Sequence, residues 1–268
     1  MSGLWPLTVR ELKKWIRNPT FFFTGLIQPI FWIALFGSAF DITKFFPSAS
    51  GSPLLSGAPN YITYIVGGVL TTMGLFTAMF AGTQIIFDRR LGPMGRFLSS
   101  PIRRSSIVFS KIISSVIRIM PQVVILVIAA YLIPNGLKFV HGFTVLDVLV
   151  LATAIILVAF IFSSIFSVIA TRMTNMQSIF GIVNLVNLPL MFVSFAMFSK
   201  EMMANWLADI AQYNPVSWSA ESIRMVIING NLTASQWMQV GRWLGALAAL
   251  AAGLLLLTAY LAEKEIRD

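Results

Sequence analysis

The sequence predicts an all-α integral membrane protein with six transmembrane helices, on three observations. The first is residue balance: of 268 residues, 57% are hydrophobic and 11% charged, against about 45–50% and about 25% in a soluble globular domain. With a mean hydropathy of +0.82, the chain carries more apolar surface than one core can hide, so lipid has to serve as part of its solvent. The second is length. A helix rises about 1.5 Å per residue, so a hydrocarbon layer of about 30 Å takes about 20 apolar residues. Six stretches supply them: 21–40, 61–87, 107–133, 148–170, 177–199 and 238–262. None alternates over about ten residues as a barrel strand would. The third is the sidedness of Lys and Arg. Twelve of them lie before the first span, after the second, after the fourth and after the sixth, while four, Lys44, Lys138, Lys200 and Arg224, lie in the opposite connections. Positive-inside bias puts the richer side, with both termini, in the cytoplasm. A multi-pass protein of the cell membrane is the expected location, as a single domain over residues 1–268.

Before the first span, Trp5, Val9, Leu12 and Ile16 share one helical face and Arg10, Lys13, Lys14 and Arg17 the other. Residues 4–18 therefore read as a basic amphipathic helix in the membrane interface. Asn18-Pro19 resembles an N-cap followed by proline at N1. The first apolar run is longer than the roughly 7–15 residues of a leader and follows this structured segment, so it reads as a span.

Polar residues enter the second and fifth spans. Thr77 and Gln84 are seven apart, and Gln177, Asn184 and Asn187 share a face with Phe180 and Met191. Such groups either hydrogen-bond between helices or line a path for an amphipathic substrate. Pro29, Pro121 and Pro189 interrupt three spans and predict local kinks. Lys111 and Arg118 in the third span are expected to snorkel to the inner interface or meet a partner.

The connection over 88–106 holds Arg89, Arg90, Arg96, Arg103 and Arg104 around Phe97 and Leu98. The arginines either keep topology or rim a docking site for which Phe97 and Leu98 supply the buried anchor. Pro93 and Gly95 predict a short or broken helix there. Residues 200–237 read as short helices dipping into the outer leaflet. Asn214-Pro215 supplies a cap, and Glu221 and Arg224 are spaced for an i, i+3 pair.

What is missing constrains function. The predicted spans contain no Asp or Glu, with Asp88 and Asp147 just outside span ends, and the chain has one histidine, His141, and no cysteine. Carboxylate proton relays and nucleophilic or metal-assisted proteolysis therefore have no visible apparatus. No Gly-Lys-Ser/Thr occurs, so no Walker A loop is present and uphill transport would need energy from another polypeptide. The formal charge of +9 sits between apolar runs, where the membrane explains it and no nucleic-acid partner is needed.

Three segments together resemble the permease subunits of type-2 ABC exporters, the group that includes daunorubicin-resistance and polysaccharide-export permeases. They are Phe87-Asp88-Arg89-Arg90-Leu91-Gly92 through Ser100-Pro101-Ile102-Arg103-Arg104, then Asn214-Pro215-Val216-Ser217-Trp218, and the basic helix ending in Arg17-Asn18-Pro19. Their order matches over nearly the whole chain. The resemblance implies two paired permeases, identical or paralogous, each docked on a separate ABC ATP-binding subunit that carries the ATP and Mg; this chain needs no cofactor of its own. It also implies that 89–104 holds the coupling helix and that the second and fifth spans line the path. The reading is an exporter permease for a hydrophobic or amphipathic substrate, a drug, lipid or lipid-linked glycan. The alternative is an ATP-independent secondary transporter or channel. An intramembrane enzyme is disfavoured by the missing catalytic groups.

Overall fold

The computed structural model describes residues 3–39, 50–90, 92–100, 102–139, 142, 144–173, 175–229 and 232–265, and these are almost wholly helical. In chain order the α-helices are α1 (Leu4–Ile16), α2 (Pro19–Ala39), α3 (Tyr61–Arg90), α4 (Pro93–Leu98), α5 (Arg104–Leu132), α6 (Val145–Thr171), α7 (Met176–Phe192), α8 (Asn205–Ala211), α9 (Pro215–Ile228) and α10 (Ala234–Glu265). Among the described residues α3, α5, α6 and α10 are long and apolar enough to cross a membrane, and α2 and α7 contribute the shorter apolar stretches Gly25–Leu35 and Gln177–Phe192.

α3 is the axis. It packs against α2, α5, α6, α7 and α9 and is buried along most of its length. Small residues make this possible: the Cβ that Gly82 lacks would stand 2.5 Å from the Phe166 carbonyl oxygen on α6, and that of Gly68 would stand 1.7 Å from the Ala196 oxygen. Hydroxyl pairs join the same elements, Thr71 with Ser219 at 3.0 Å and Ser115 with Ser163 at 2.9 Å. These are the short-range polar contacts by which helices associate where lipid supplies no hydrophobic drive between them. α10 lies outermost and exposes Leu256, Leu257 and Tyr260. On α2, Phe23, Ile27, Phe31 and Leu35 recur every fourth residue and are all exposed, as a face against lipid or another apolar surface would be.

Local signals fold as their chemistry dictates. Thr144 caps α6 in a reciprocal box with Asp147, which explains an acid at the mouth of a span. Asn214 caps α9 by accepting from the Val216 N–H at 2.9 Å, with Pro215 following. The same side chain turns its amide the other way, donating to the carbonyls of Leu190 at 2.9 Å and Val193 at 2.6 Å. This corrects the expected fifth span over 177–199, because helix α7 stops at Phe192. One asparagine thus satisfies carbonyls left open at the end of α7 and starts α9.

The segment after α7 is locked by Arg224, which was expected to be an external cation and is 1% exposed. Its Nε donates to the Tyr64 carbonyl at 3.1 Å and its Nη2 to the Phe195 carbonyl at 2.9 Å, the guanidinium lies 3.7 Å from the centre of the Tyr64 ring, and Glu221 is its ion-pair partner. The i, i+3 spacing anticipated the pair; the burial comes from the neighbouring carbonyls.

Candidate functional site

α1 does more than lie in an interface. Its buried residues are Leu7, Thr8 and Glu11, whereas Trp5 and Ile16, from the predicted apolar face, are exposed. The helix therefore presents Glu11, with Leu7 and Thr8, to the bundle and turns Trp5 and Ile16 outward. α3 runs three residues beyond the expected end at Phe87 and so carries Asp88 into the structure. Asp88 and Glu11 are each 3% exposed. Both lie outside the predicted spans, as expected, yet are buried.

Their partners include Lys111 and Arg118, the two cations expected to snorkel or to meet a partner. Lys111, whose side chain is 1% exposed, pairs with Asp88 and stands 3.6 Å from Glu11 Oε1. Arg118 Nη2 donates to the Glu11 carbonyl oxygen at 3.0 Å. With the Gln84 amide oriented to satisfy both its ends, it donates to Glu11 Oε2 at 3.3 Å and accepts from Arg118 Nη1 at 2.6 Å. Arg10 and Lys14 reach the same carboxylates from α1, Arg10 Nη1 to Glu11 Oε1 at 2.9 Å and Lys14 Nζ to Asp88 Oδ1 at 3.4 Å. Lys111 and Arg118 meet partners, and pairing across α1, α3 and α5 compensates their burial. A carboxylate at position 11 in an otherwise basic helix was the available signal. Its partners, about a hundred residues away, were beyond any local pattern.

Beside this cluster, between α1, α2, α3 and α5, lies a cavity of about 510 Å³. Thr77 and Gln84, two of the predicted path residues, line it together with Gln122, a residue the sequence reading missed. Thr77 Oγ1 donates to Gln122 Oε1 at 3.4 Å. Trp15 and Phe87 give the cavity an apolar wall.

The path residues of α7 are split. Asn187, 3% exposed, and Met191 are buried with Ile179 and Val183, a line repeating every fourth residue, and Asn187 Oδ1 has no hydrogen-bond partner. Phe180 and Asn184 are exposed. A polar stripe at spacings of seven and ten drifts around a 3.6-residue helix, so it straddles the boundary between the packed and the open face. Neither Asn184 nor Phe180 is among the residues that line the cavity with Thr77 and Gln84.

The connection between α3 and α5 holds a six-residue helix, α4, with Pro93 in its first turn. Gly92 precedes it at φ 88°, a left-handed conformation that favours glycine. The expected shortness of this helix follows. Phe97 is half-buried, and the Arg10 guanidinium lies 4.8 Å from the centre of its ring, so α4 is fastened to α1 on one side. Arg89 turns inward and donates to the Thr171 carbonyl at the end of α6 at 2.7 Å. Arg90 and Arg103 are exposed and Arg104 is half-exposed. The side chains of Arg96 and Leu98 lie outside the described residues, as does His141.

The ABC-2 type transporter family matches residues 3–228, from α1 to the end of α9. The chain is similar to a protein of Porphyra purpurea described as transport permease ycf38, at 27% identity over 81% of this chain and 71% of that one. The ycf38 permease of Pyropia yezoensis is 25% identical over 97% of this chain and 87% of its own. A daunorubicin resistance ABC transporter permease protein, DrrB1 of Streptomyces coeruleorubidus, is 22% identical over 94% and 81%.

Proposed function

We propose, since the chain belongs to the ABC-2 type transporter permease family, that it is the membrane-spanning subunit of an ATP-driven exporter for a hydrophobic or amphipathic substrate. The observation that carries this reading is the construction of one end of the bundle. There α1, the end of α3 and α4 are tied together by Glu11, Asp88 and the contact of Arg10 with Phe97, and the exposed Arg90 and Arg103 flank them. A soluble motor needs a stiff platform to push on, with an apolar anchor and charged rim contacts. The ABC-2 family implies partnership with an ATP-binding subunit, and no Gly-Lys-Ser/Thr of a Walker A loop occurs in the sequence. ATP and Mg accordingly belong to that subunit. Pairing with a second permease, the same or a paralogue, would cover apolar faces such as those of α2 and α7.

This reading puts six spans in the cell membrane, α2, α3, α5, α6, α7 and α10, with α1 in the interface on the cytoplasmic side, α4 in the cytoplasm and the 200–237 region outside. The chain has no cysteine, so single cysteines report cleanly. Ser52→Cys is expected to react with an impermeant thiol reagent added outside intact cells, and Ser99→Cys only after permeabilisation. The reverse pattern would sink the orientation.

The exposed part of the polar stripe on α7 is assigned to the substrate path. Asn184→Leu is expected to change transport by several-fold in reconstituted vesicles while the melting temperature stays within about 2 °C of the parent, as for a surface substitution. Lost folded protein with unchanged transport per molecule would make Asn184 a packing group instead.

A further inference from the structure

The cavity between α1, α2, α3 and α5 has an imbalance of charge that its own residues do not settle. Arg10, Lys14 and Arg118 line it with two carboxylates, Glu11 and Asp88, and Lys111 behind the wall pairs with Asp88 and approaches Glu11. Four cations thus face two carboxylates. Arg118 is 7% exposed, and its Nε has no hydrogen-bond partner although it is fully buried. Buried donors are rarely left open. The buried Lys111 and Arg118 are matched by Glu11 and Asp88, and the excess comes from Arg10 and Lys14, whose side chains are 33% and 49% exposed at the edge of the cavity. A volume of about 510 Å³ lies in the range of ligand sites, about 300–1,000 Å³. Trp15 and Phe87 form an apolar wall against this basic floor.

We propose that this cavity binds the phosphate head of an anionic amphipath, with Arg118, Lys14 and Arg10 as its cationic donors and the apolar wall against the start of its hydrocarbon. A tetrahedral phosphate offers several acceptors to donors converging from α1 and α5. A guanidinium and an ammonium both gain strength by charge-assisted bonding to it. A cationic drug would meet repulsion in the same place. The proposal rests on the exporter reading and narrows its substrate class to phosphate-bearing amphipaths.

The test uses the full chain in phosphatidylcholine nanodiscs doped with phosphatidic acid or with diacylglycerol, and counts the lipids retained on release into a mass spectrometer. Phosphatidic acid is expected to be retained about tenfold over diacylglycerol and phosphatidylcholine, the order of one charged hydrogen bond. Arg118→Gln removes the cation with the open donor. Gly25→Leu leaves every charge in place and fills the cavity from α2, where an added Cβ would stand 2.9 Å from Gln122 Nε2. Each is expected to lower retention about tenfold. If Arg118→Gln fails to fold, Lys14→Gln, whose side chain is half exposed, reads the same charge. Equal retention of phosphatidic acid and diacylglycerol overturns the proposal, and so does parent-like retention in the folded variants. Binding of inorganic phosphate without retention of phosphatidic acid overturns the amphipath and assigns the cavity to free phosphate. The permease is measured without an ATP-binding subunit, so lost lipid selectivity would leave ATP-driven export standing, and a failure of ATP coupling would leave this site standing.

Discussion

Gly68→Val is expected to be among the most damaging single substitutions in the chain, lowering the melting temperature by about 6–12 °C and cutting the folded yield. The missing Cβ of Gly68 would stand 1.7 Å from the Ala196 carbonyl oxygen and 2.4 Å from its carbon, and no rotamer moves a Cβ. Either α3 or the segment after α7 has to retreat. That segment cannot retreat freely, because Arg224 holds the neighbouring Phe195 carbonyl at 2.9 Å and the Ala196 carbonyl at 3.4 Å. Separating α3 from Ala196 therefore also loosens a buried guanidinium, and leaving a buried charge short of partners adds to the overpacking cost. Overpacking alone costs about 1–3 kcal/mol, and about 3 kcal/mol gives the stated shift for a chain of this size. Gly245→Ala on α10 is the control: its added Cβ meets nothing within 4 Å, and it is expected to melt at or slightly above the parent. A Gly68→Val protein that melts with the parent would mean that α3 and the segment after α7 are not in contact as described.

The second large effect is expected at Phe97, and it bears on the coupling of this permease to its motor. Phe97 carries no charge, so its loss leaves untouched the positive-inside bias by which the proposed topology puts the 88–106 connection in the cytoplasm. It is half-buried beneath Arg10, and α4 is too short to hold itself by backbone hydrogen bonds alone. Phe97→Ala thus removes the α1 contact and, on the proposed reading, the apolar part of the anchor for the ATP-binding subunit. Insertion and melting are expected to stay near the parent, because the ring is not in the enclosed core. Docking is expected to weaken about tenfold or more, as for truncation of an aromatic hot spot, with hydrolysis running on uncoupled from transport.

Much of the fold was readable because its causes are local. Apolar length predicted helices at all six places, a cap and a proline placed the start of α9, and Pro93 with Gly95 predicted how short α4 is. The charge cluster was unreadable for the opposite reason. Glu11, Asp88, Lys111 and Arg118 come from three helices, so no spacing along one helix brings them together. The serines of α5 held a partial signal: Ser110, Ser114 and Ser115 are buried with Lys111 and Arg118, and a polar stripe on a span marks the side facing protein. Of the path residues, Thr77 and Gln84 meet at one cavity because seven residues keep them on one side of a helix packed nearly all round. Asn184 and Asn187 separate because α7 is packed on one side only. The amphipathic pattern of α1 gave the helix, and Trp5 and Ile16 stay exposed as an interfacial face does; what the pattern did not show is that Glu11 on the basic side is buried in a charge cluster.

The claim on which all of this turns is that transport by this chain is driven by ATP hydrolysed on another polypeptide. It is tested most directly by sealed vesicles holding the permease with its ATP-binding subunit, in which substrate movement and ATP hydrolysis are measured together. The account predicts movement that requires both the subunit and ATP, and a ratio of substrate moved to ATP hydrolysed that falls about tenfold or more in Phe97→Ala while the protein remains folded and inserted. Movement that persists in the permease alone under an ion gradient, unchanged by ATP and by Phe97→Ala, would contradict it and make this chain a secondary transporter or channel.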